Sequence, residues 1–363
     1  MEPQAGVPRV QADGKPPVTL VATMLNEEAS LPALLRSIEA QTRLPDEVVF
    51  ADGGSRDGTL SLLRTWATSR SFPVRVLECP GTNIAAGRNR AISAAAHEVI
   101  CCTDAGVVLE PEWLGALSRP FSRLDPPDLV AGLFRGEAEG PFHTAMAATV
   151  LPLPDEIREG RFLPSSRSVA YTKAAWRRVG GYPEWADYCE DVLFDMALLA
   201  VGLRLEIARA AIVRFPPRRS LGSFWRQYRN YARGDGASGL WLGRHAARYG
   251  TYLVIVPALA VAALRLGPWP LVGYLLGAAA YLRRPYARLL RLTRGWPWRQ
   301  RARAAPWVPL IRAWGDLAKM AGFPRGLLAG RLLRRLNDSY KAGDMGRIDA
   351  PSLETPSHSG GLT

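Results

Sequence analysis

Residues 99–110 read VICCTDAGVVLE. An apolar, strand-like run ends there in one acidic side chain, Asp104, followed by a turn. Two carboxylates placed two residues apart at the end of such a strand would suit a diphosphate and its metal, but here the second position is Gly106. Two readings are open at this point. Asp104 is half of a metal site, or it is a turn residue that stops a strand.

Working outward, the same strand–turn–helix rhythm repeats. PVTLVATML (17–25) is β-rich, and EEASLPALLRSIEAQT (27–42) has Leu31, Leu34, Leu35 and Ile38 at helical spacing. EVVFA (47–51) is the next strand, closed by the turn cluster DGGSRDG, and TLSLLRTWATSR is helical. VRVLE (74–78), the helical NIAAGRNRAISAAA and the strand EVICCT (98–103) follow. Strands alternating with short helices predict an α/β fold with a mostly parallel central sheet and helices on both faces. Continuous apolar strands fit a sheet covered on both sides. From about residue 125 the regularity fades. SRSVAYTKAAWRRVGGYPEW reads as a strand, a short helix and a glycine turn. EDVLFDMALLAVG opens a helix with two carboxylates, and FWRQYRNYARGDG (224–236) reads as a helix capped by glycine.

The net charge of +13 is unevenly spread: residues 216–345 hold 23 Lys and Arg against 4 Asp and Glu, so the remainder is mildly acidic. A basic half suits nucleic acid or an anionic membrane surface. The apolar runs inside it, YGTYLVIVPALAVAALRL (249–266) and WPLVGYLLGAAAYL (269–282), decide for the membrane and against nucleic acid. Joined by GPWP and flanked by arginine and tryptophan, they predict a helical hairpin with both ends on the cytoplasmic side. The segment 306–336 reads as interfacial. The four cysteines form no CxxC pair, so they are read as reduced, buried thiols in a cytoplasmic chain. No apolar signal segment precedes residue 17. The expected organisation is a leader over 1–17, a catalytic domain over 18–236, a helical membrane-associated region over 237–344 and a disordered tail over 345–363.

Several constellations carry chemistry. Asn26, Glu27 and Glu28 follow the first strand. They suit a helix N-terminus or a ribose contact at a strand's carboxyl end. Asp52 follows the second strand and would face the same crevice. No GxGxxG follows the first strand, which argues against a dinucleotide enzyme. Arg88 and Arg90 lie early in a helix, where the dipole disfavours cations, so a negative ligand such as phosphate is expected beside them.

Taken in order, NEE, DGGSRDGT, AAGRNRA, TDAG, CED and RQYRNYARG over roughly residues 17–236 resemble the family 2 inverting glycosyltransferases of GT-A fold. The resemblance implies a nucleotide-sugar donor, a divalent metal (Mn²⁺ or Mg²⁺) and a glycan or lipid-linked acceptor at the cytoplasmic membrane face. By position it implies donor-binding roles for Thr23, Asn26, Glu27, Asp52, Arg88, Asp104, Arg226 and Arg229. Asp104 would be the metal ligand, and Asp191 the general base beside Glu190. Gly106 stands where the family has a second carboxylate, and Tyr231 near where it has tryptophan. Metal-independent transfer, with arginines neutralising the leaving group, is the alternative this departure opens. Other readings of the chain are a membrane-anchored nucleotide-sugar-binding protein without transferase activity and a nucleotidyltransferase of similar fold.

Overall fold

The computed structural model describes residues 15–160 and 162–336. The expected leader lies outside them up to residue 14, and the expected tail over 345–363 lies outside them entirely. The described chain divides into two compact units. One runs to Gly136 and resumes over Leu153–Phe215, and the other is formed by Glu137–Pro152 and the residues from Pro216 onward.

In the first unit, β1 (Val18–Met24), β2 (Glu47–Asp52), β3 (Val74–Glu78) and β4 (Val99–Asp104) pair in parallel. They are linked through α1 (Leu31–Glu39), α2 (Thr59–Ala67) and α3 (Ile84–Ala94). β1, β2 and β4 are buried along their whole length, which explains why they are unbroken apolar runs. Next come β5 (Val108–Leu109), α4 (Trp113–Ser118) and β6 (Leu129–Gly136). Helix α5 (Gly140–Val150) belongs to the second unit. The first unit resumes with β7 (Val169–Thr172), α6 (Lys173–Arg178), α7 (Glu190–Ala200) and β8 (Leu205–Phe215). The sheet order is β3-β2-β1-β4-β7-β6-β8-β5. Strand β7 runs antiparallel to both β4 and β6, and β5 runs antiparallel to β8. The sheet is therefore parallel across its first four strands and mixed beyond them. Its register sets Thr23 beside Asp104 and Met24 beside Asp52, so these side chains share the carboxyl edge of the parallel strands.

The second unit is helical: α5, α8 (Leu221–Ser238), α9 (Leu242–Gly250), α10 (Val256–Leu266), α11 (Pro270–Leu292), α12 (Trp298–Ala304) and α13 (Trp307–Leu336). Its core joins Met146 of α5, Phe224 and Tyr228 of α8, Leu289 of α11, and Val308 and Ile311 of α13. Helix α8 starts at a Ser220 cap, whose Oγ accepts from Ser223 N at 3.2 Å, and ends at Gly239 with φ 72°. Helices α8 and α13 meet almost backbone to backbone. A Cβ at Gly322 or Gly326 would lie 2.0 Å from the carbonyl oxygen of Arg229 or Arg233, and one at Gly330 would lie 2.2 Å from that of Ala237. Glycine at every fourth position is what lets two helices approach this closely. Pro324 lacks the N–H that would bond Met320 O, and Tyr249 Oη donates to that carbonyl at 2.6 Å instead. Leu242–Leu266 forms one continuous helix of 25 residues whose apolar part follows Gly250, with a π-turn over Thr251–Ile255. At about 1.5 Å per residue it is about 37 Å long, enough to cross a hydrocarbon core of about 30 Å. Its most apolar window buries none of its residues, and Leu253, Val254, Ile255, Leu264 and Leu266 are exposed.

Candidate active site

The carboxyl ends of β1, β2 and β4 carry the buried polar residues Thr23, Asp52 and Asp104. Asp104 ends β4, with Oδ1 accepting from Arg88 Nη2 at 2.9 Å. Arg88 comes from α3, and its other terminal nitrogen donates to Glu190 Oε1 at 3.1 Å. Arg167 Nε approaches Asp104 Oδ2 at 3.7 Å. Arg88 is 1% exposed and Glu190 0%, so both contacts are shielded from water. Both terminal nitrogens of Arg88 are thus engaged by the chain's own carboxyl groups.

The shape of this cluster follows from its neighbours. Asn83 caps α3, its Oδ1 accepting from Ala86 N at 3.0 Å, which aims Arg88 inward one turn later. The Arg88 guanidinium lies 4.8 Å over the Tyr182 ring, which stacks on Phe194 at 4.0 Å. Asn89 Oδ1 accepts from Tyr182 N at 2.9 Å and from Trp176 Nε1 at 3.0 Å, while its Nδ2 donates to Tyr182 O at 2.8 Å. Neighbouring residues of one helix therefore serve two tasks: Arg88 pairs the carboxylates, and Asn89 clamps the turn that carries Tyr182. Cys189, just before α7, has φ 64°, an uncommon conformation for a non-glycine residue. It turns the chain so that α7 begins with Glu190 and Asp191 inside the unit.

Four acidic groups, Asp104, Glu190, Asp191 and Asp195, share this interior with two guanidinium groups. Burial pushes the Glu190 carboxyl up to about 8, with Asp191 adding to the rise and Arg88 opposing it. Burial also raises Asp191, against the pull of Arg88 and of the Val192 N–H that its Oδ1 accepts at 2.9 Å. Asp195 is raised well above the carboxylate range, by burial first and then by Asp191. Glu190 therefore holds its proton at neutral pH. Thr23 Oγ1, Asp104 Oδ2, Arg88 Nε, Arg167 Nη1, Glu190 Oε2 and Asp195 Oδ2 are buried without a hydrogen-bond partner in the chain. Buried polar atoms are ordinarily paired, so so many in one place mark a site that receives a polar ligand.

The two loops beside the site are laced together. Asn26 N donates to Ser55 Oγ at 2.8 Å, Arg56 N donates to Asn26 Oδ1 at 2.9 Å, and Glu27 N donates to Thr59 Oγ1 at 2.8 Å. Asn26 does not cap α1 as the helix reading expects; it sits at φ 55°, and Ser30 takes the N-cap position. Asp52 Oδ1 accepts from Gly54 N and Ser55 N at 2.9 and 2.8 Å, and Oδ2 accepts from Ser55 Oγ. Its carboxylate shapes its own turn. Ser30 Oγ donates to the Glu27 carboxylate. Gly106 has φ 76°, and a Cβ there would lie 3.8 Å from Glu27 Oε2.

Of the residues singled out by sequence, Thr23, Asp52, Arg88, Asp104, Glu190 and Asp191 gather in the first unit around the strand ends. Asn26 and Glu27 are in the laced loop, while Arg226 and Arg229 lie on α8 of the second unit. Arg167, Asp195 and Asn89 escaped the sequence reading. Asn89 directly follows Arg88 inside AAGRNRA and was legible there, whereas Arg167 has no local signal.

A divalent ion is the cofactor expected at Asp104. Such ions take about six oxygen ligands. Asp104 Oδ1 is taken by Arg88 and Oδ2 is ion-paired with Arg167 at 3.7 Å, and Gly106 contributes no carboxylate. Among the described residues, no group of three His, Cys, Asp or Glu side chains could hold a metal ion. The protein groups do not by themselves fit a divalent ion.

The glycosyl transferase family 2 model matches residues 19–182. The chain is 26% identical over 299 residues to the succinoglycan biosynthesis protein ExoA of Rhizobium meliloti (strain 1021), covering 74% of this chain and 88% of that protein. It is 25% identical over 143 residues to the validoxylamine A glucosyltransferase of Streptomyces hygroscopicus subsp. limoneus, covering 39% of this chain and 32% of that protein. Among solved structures, the mannosyltransferase PcManGT from Pyrobaculum calidifontis, in complex with GDP-Man and Mn²⁺, is 20% identical with a TM-score of 0.49. The match covers 90% of this chain and 88% of that one.

Proposed function

We propose, on the premise that residues 19–182 are a glycosyl transferase family 2 domain of GT-A-like fold, that this sugar-transferring enzyme works with inversion and uses Asp191 as its general base. The observation that carries the reading is the buried cluster of Arg88, Asp104, Arg167, Glu190 and Asp191 at the carboxyl ends of the parallel strands, where ligands of open α/β sheets bind.

Transfer from a nucleotide sugar forms one bond and breaks another. An acceptor hydroxyl oxygen attacks the anomeric carbon. The bond from that carbon to the diphosphate oxygen breaks on the opposite face, its electron pair leaving with the nucleoside diphosphate. The hydroxyl proton goes to Asp191. Burial raises the affinity of Asp191 for a proton, which makes it a stronger base than an exposed aspartate. Glu190, holding its proton at neutral pH, bonds Arg88 and keeps α7 in position. Arg167, with an unpaired Nη1, is the group that offsets the charge of the leaving diphosphate. Thr23, Asn26, Glu27 and Asp52 line the nucleoside side.

The acceptor is a glycan or lipid-linked glycan at the cytoplasmic membrane face. The apolar Leu242–Leu266 helix supports membrane attachment, with α10 and α11 as an anchoring hairpin. The relative that acts in succinoglycan biosynthesis supports a glycan acceptor. The test is hydrolysis or transfer from a panel of nucleotide sugars by the detergent-purified chain, with the product's anomeric configuration read by NMR. Asp191→Asn is expected to lower turnover by about 10²–10⁴ while retaining nucleoside diphosphate binding. Retained configuration in the product, or full turnover in this variant, overturns the reading.

A further inference from the structure

The second unit contains a cavity of about 290 Å³ where α8 and α13 diverge on one side of their glycine contact. It is lined by Arg229, Asn230, Arg233, Gly322, Arg325 and Ala329. Three guanidinium groups thus meet at one void. Arg229 is half-buried, and Arg233 and Arg325 are exposed. Arg248 of the same unit, by contrast, has an anionic partner, its Nε donating to Asp316 Oδ1 at 2.8 Å. No carboxylate among the described residues pairs with Arg229, Arg233 or Arg325.

The convergence is built into the backbone. Gly322 and Gly326 press against the carbonyls of Arg229 and Arg233, so residues four apart on α8 and the Arg325 turn of α13 are held at a fixed, short separation. Holding like charges together without a counter-charge is unfavourable, and an anion relieves it. Guanidinium groups present paired N–H donors that match phosphate oxygens, and the Asn230 amide adds another donor. We propose that this cavity binds a phosphate monoester or diphosphate group, held by Arg229, Arg233 and Arg325. The site goes beyond the donor reading, because Arg233 and Arg325 take no part in it. The apolar α10 and α11 belong to the same unit, so a lipid headgroup and a free phosphate are the two sources of this group, and experiment separates them.

The full chain, purified in uncharged detergent, is titrated with inorganic phosphate and with dodecyl phosphate in mixed micelles, with binding read by thermophoresis. In Arg233→Gln/Arg325→Gln, binding of the recognised probe is expected to weaken by about tenfold or more. The control Arg299→Gln/Arg303→Gln removes the same charge from exposed positions of α12 and is expected to keep wild-type affinity. Recognition of dodecyl phosphate alone assigns a lipid headgroup, and recognition of both probes assigns a free phosphate group. Equal weakening in both double variants, or none in either, overturns the site in favour of diffuse charge attraction.

Discussion

At Gly106 the backbone has φ 76°, and any side chain there would point toward the Glu27 carboxylate. Gly106→Asp, which would restore the missing second acid, is therefore expected to harm. It combines a strained backbone with a like charge next to Glu27. A loss of about 1–2 kcal/mol in urea denaturation is expected. An unchanged midpoint would mean the loop rearranges freely. Glu190 sets a pH dependence whose sign follows from its raised proton affinity. The unfolded chain releases this proton near 4.5 and the folded chain near 8. The native state binds more protons in between, so stability present below about 4.5 is lost as pH climbs through 8. The melting temperature is expected to fall between pH 5 and 8, and Glu190→Gln to flatten that fall. Parallel profiles for wild type and variant would take Glu190 out of this account.

Helices α8 and α13 depend on having no side chain between them. Gly326→Leu would drive a side chain into the Arg233 carbonyl, 2.0 Å from its Cβ, and no rotamer change relieves a clash with backbone. The expected result is loss of the second unit's cooperative melting in detergent, a larger effect than the roughly 1–3 kcal/mol of ordinary overpacking. Tyr249→Phe is a milder test in the same region. It removes the donor to the carbonyl that Pro324 leaves unbonded, and should cost about 1 kcal/mol by thermal shift. Glycine spacing and prolines are visible in a sequence, but which helix lies against GFPRGLLAG is not.

For the whole molecule, the charge division and the apolar runs converge on one behaviour. The chain is expected to remain in the membrane fraction through high-salt and carbonate washes and to be released by detergent, as for an inserted helix. Extraction by salt alone would mean that arginines hold it to the surface without insertion. Membrane pellets after each wash, probed by immunoblot, separate the two.

Local periodicity and turn chemistry were enough to read β1 to β4 with α1 to α3, because parallel strands buried on both faces must be continuous apolar runs. The places of Asp104 and Asp191 were legible because one stands at a strand end and the other in a first helical turn, where a side chain's direction follows from its position. The antiparallel insertion of β7 between β4 and β6 was not legible, since pairing partners distant in sequence leave no periodic mark. Nor was the passage of α5 into the second unit. Arg167 joins Asp104 only through the folding of residues 64 positions apart onto β4. Tertiary structure also decided the proton affinities. Glu190 holds its proton near neutrality because folding removes it from water and sets it beside Asp191, against the pull of Arg88, and no property of CED read as a string contains that burial.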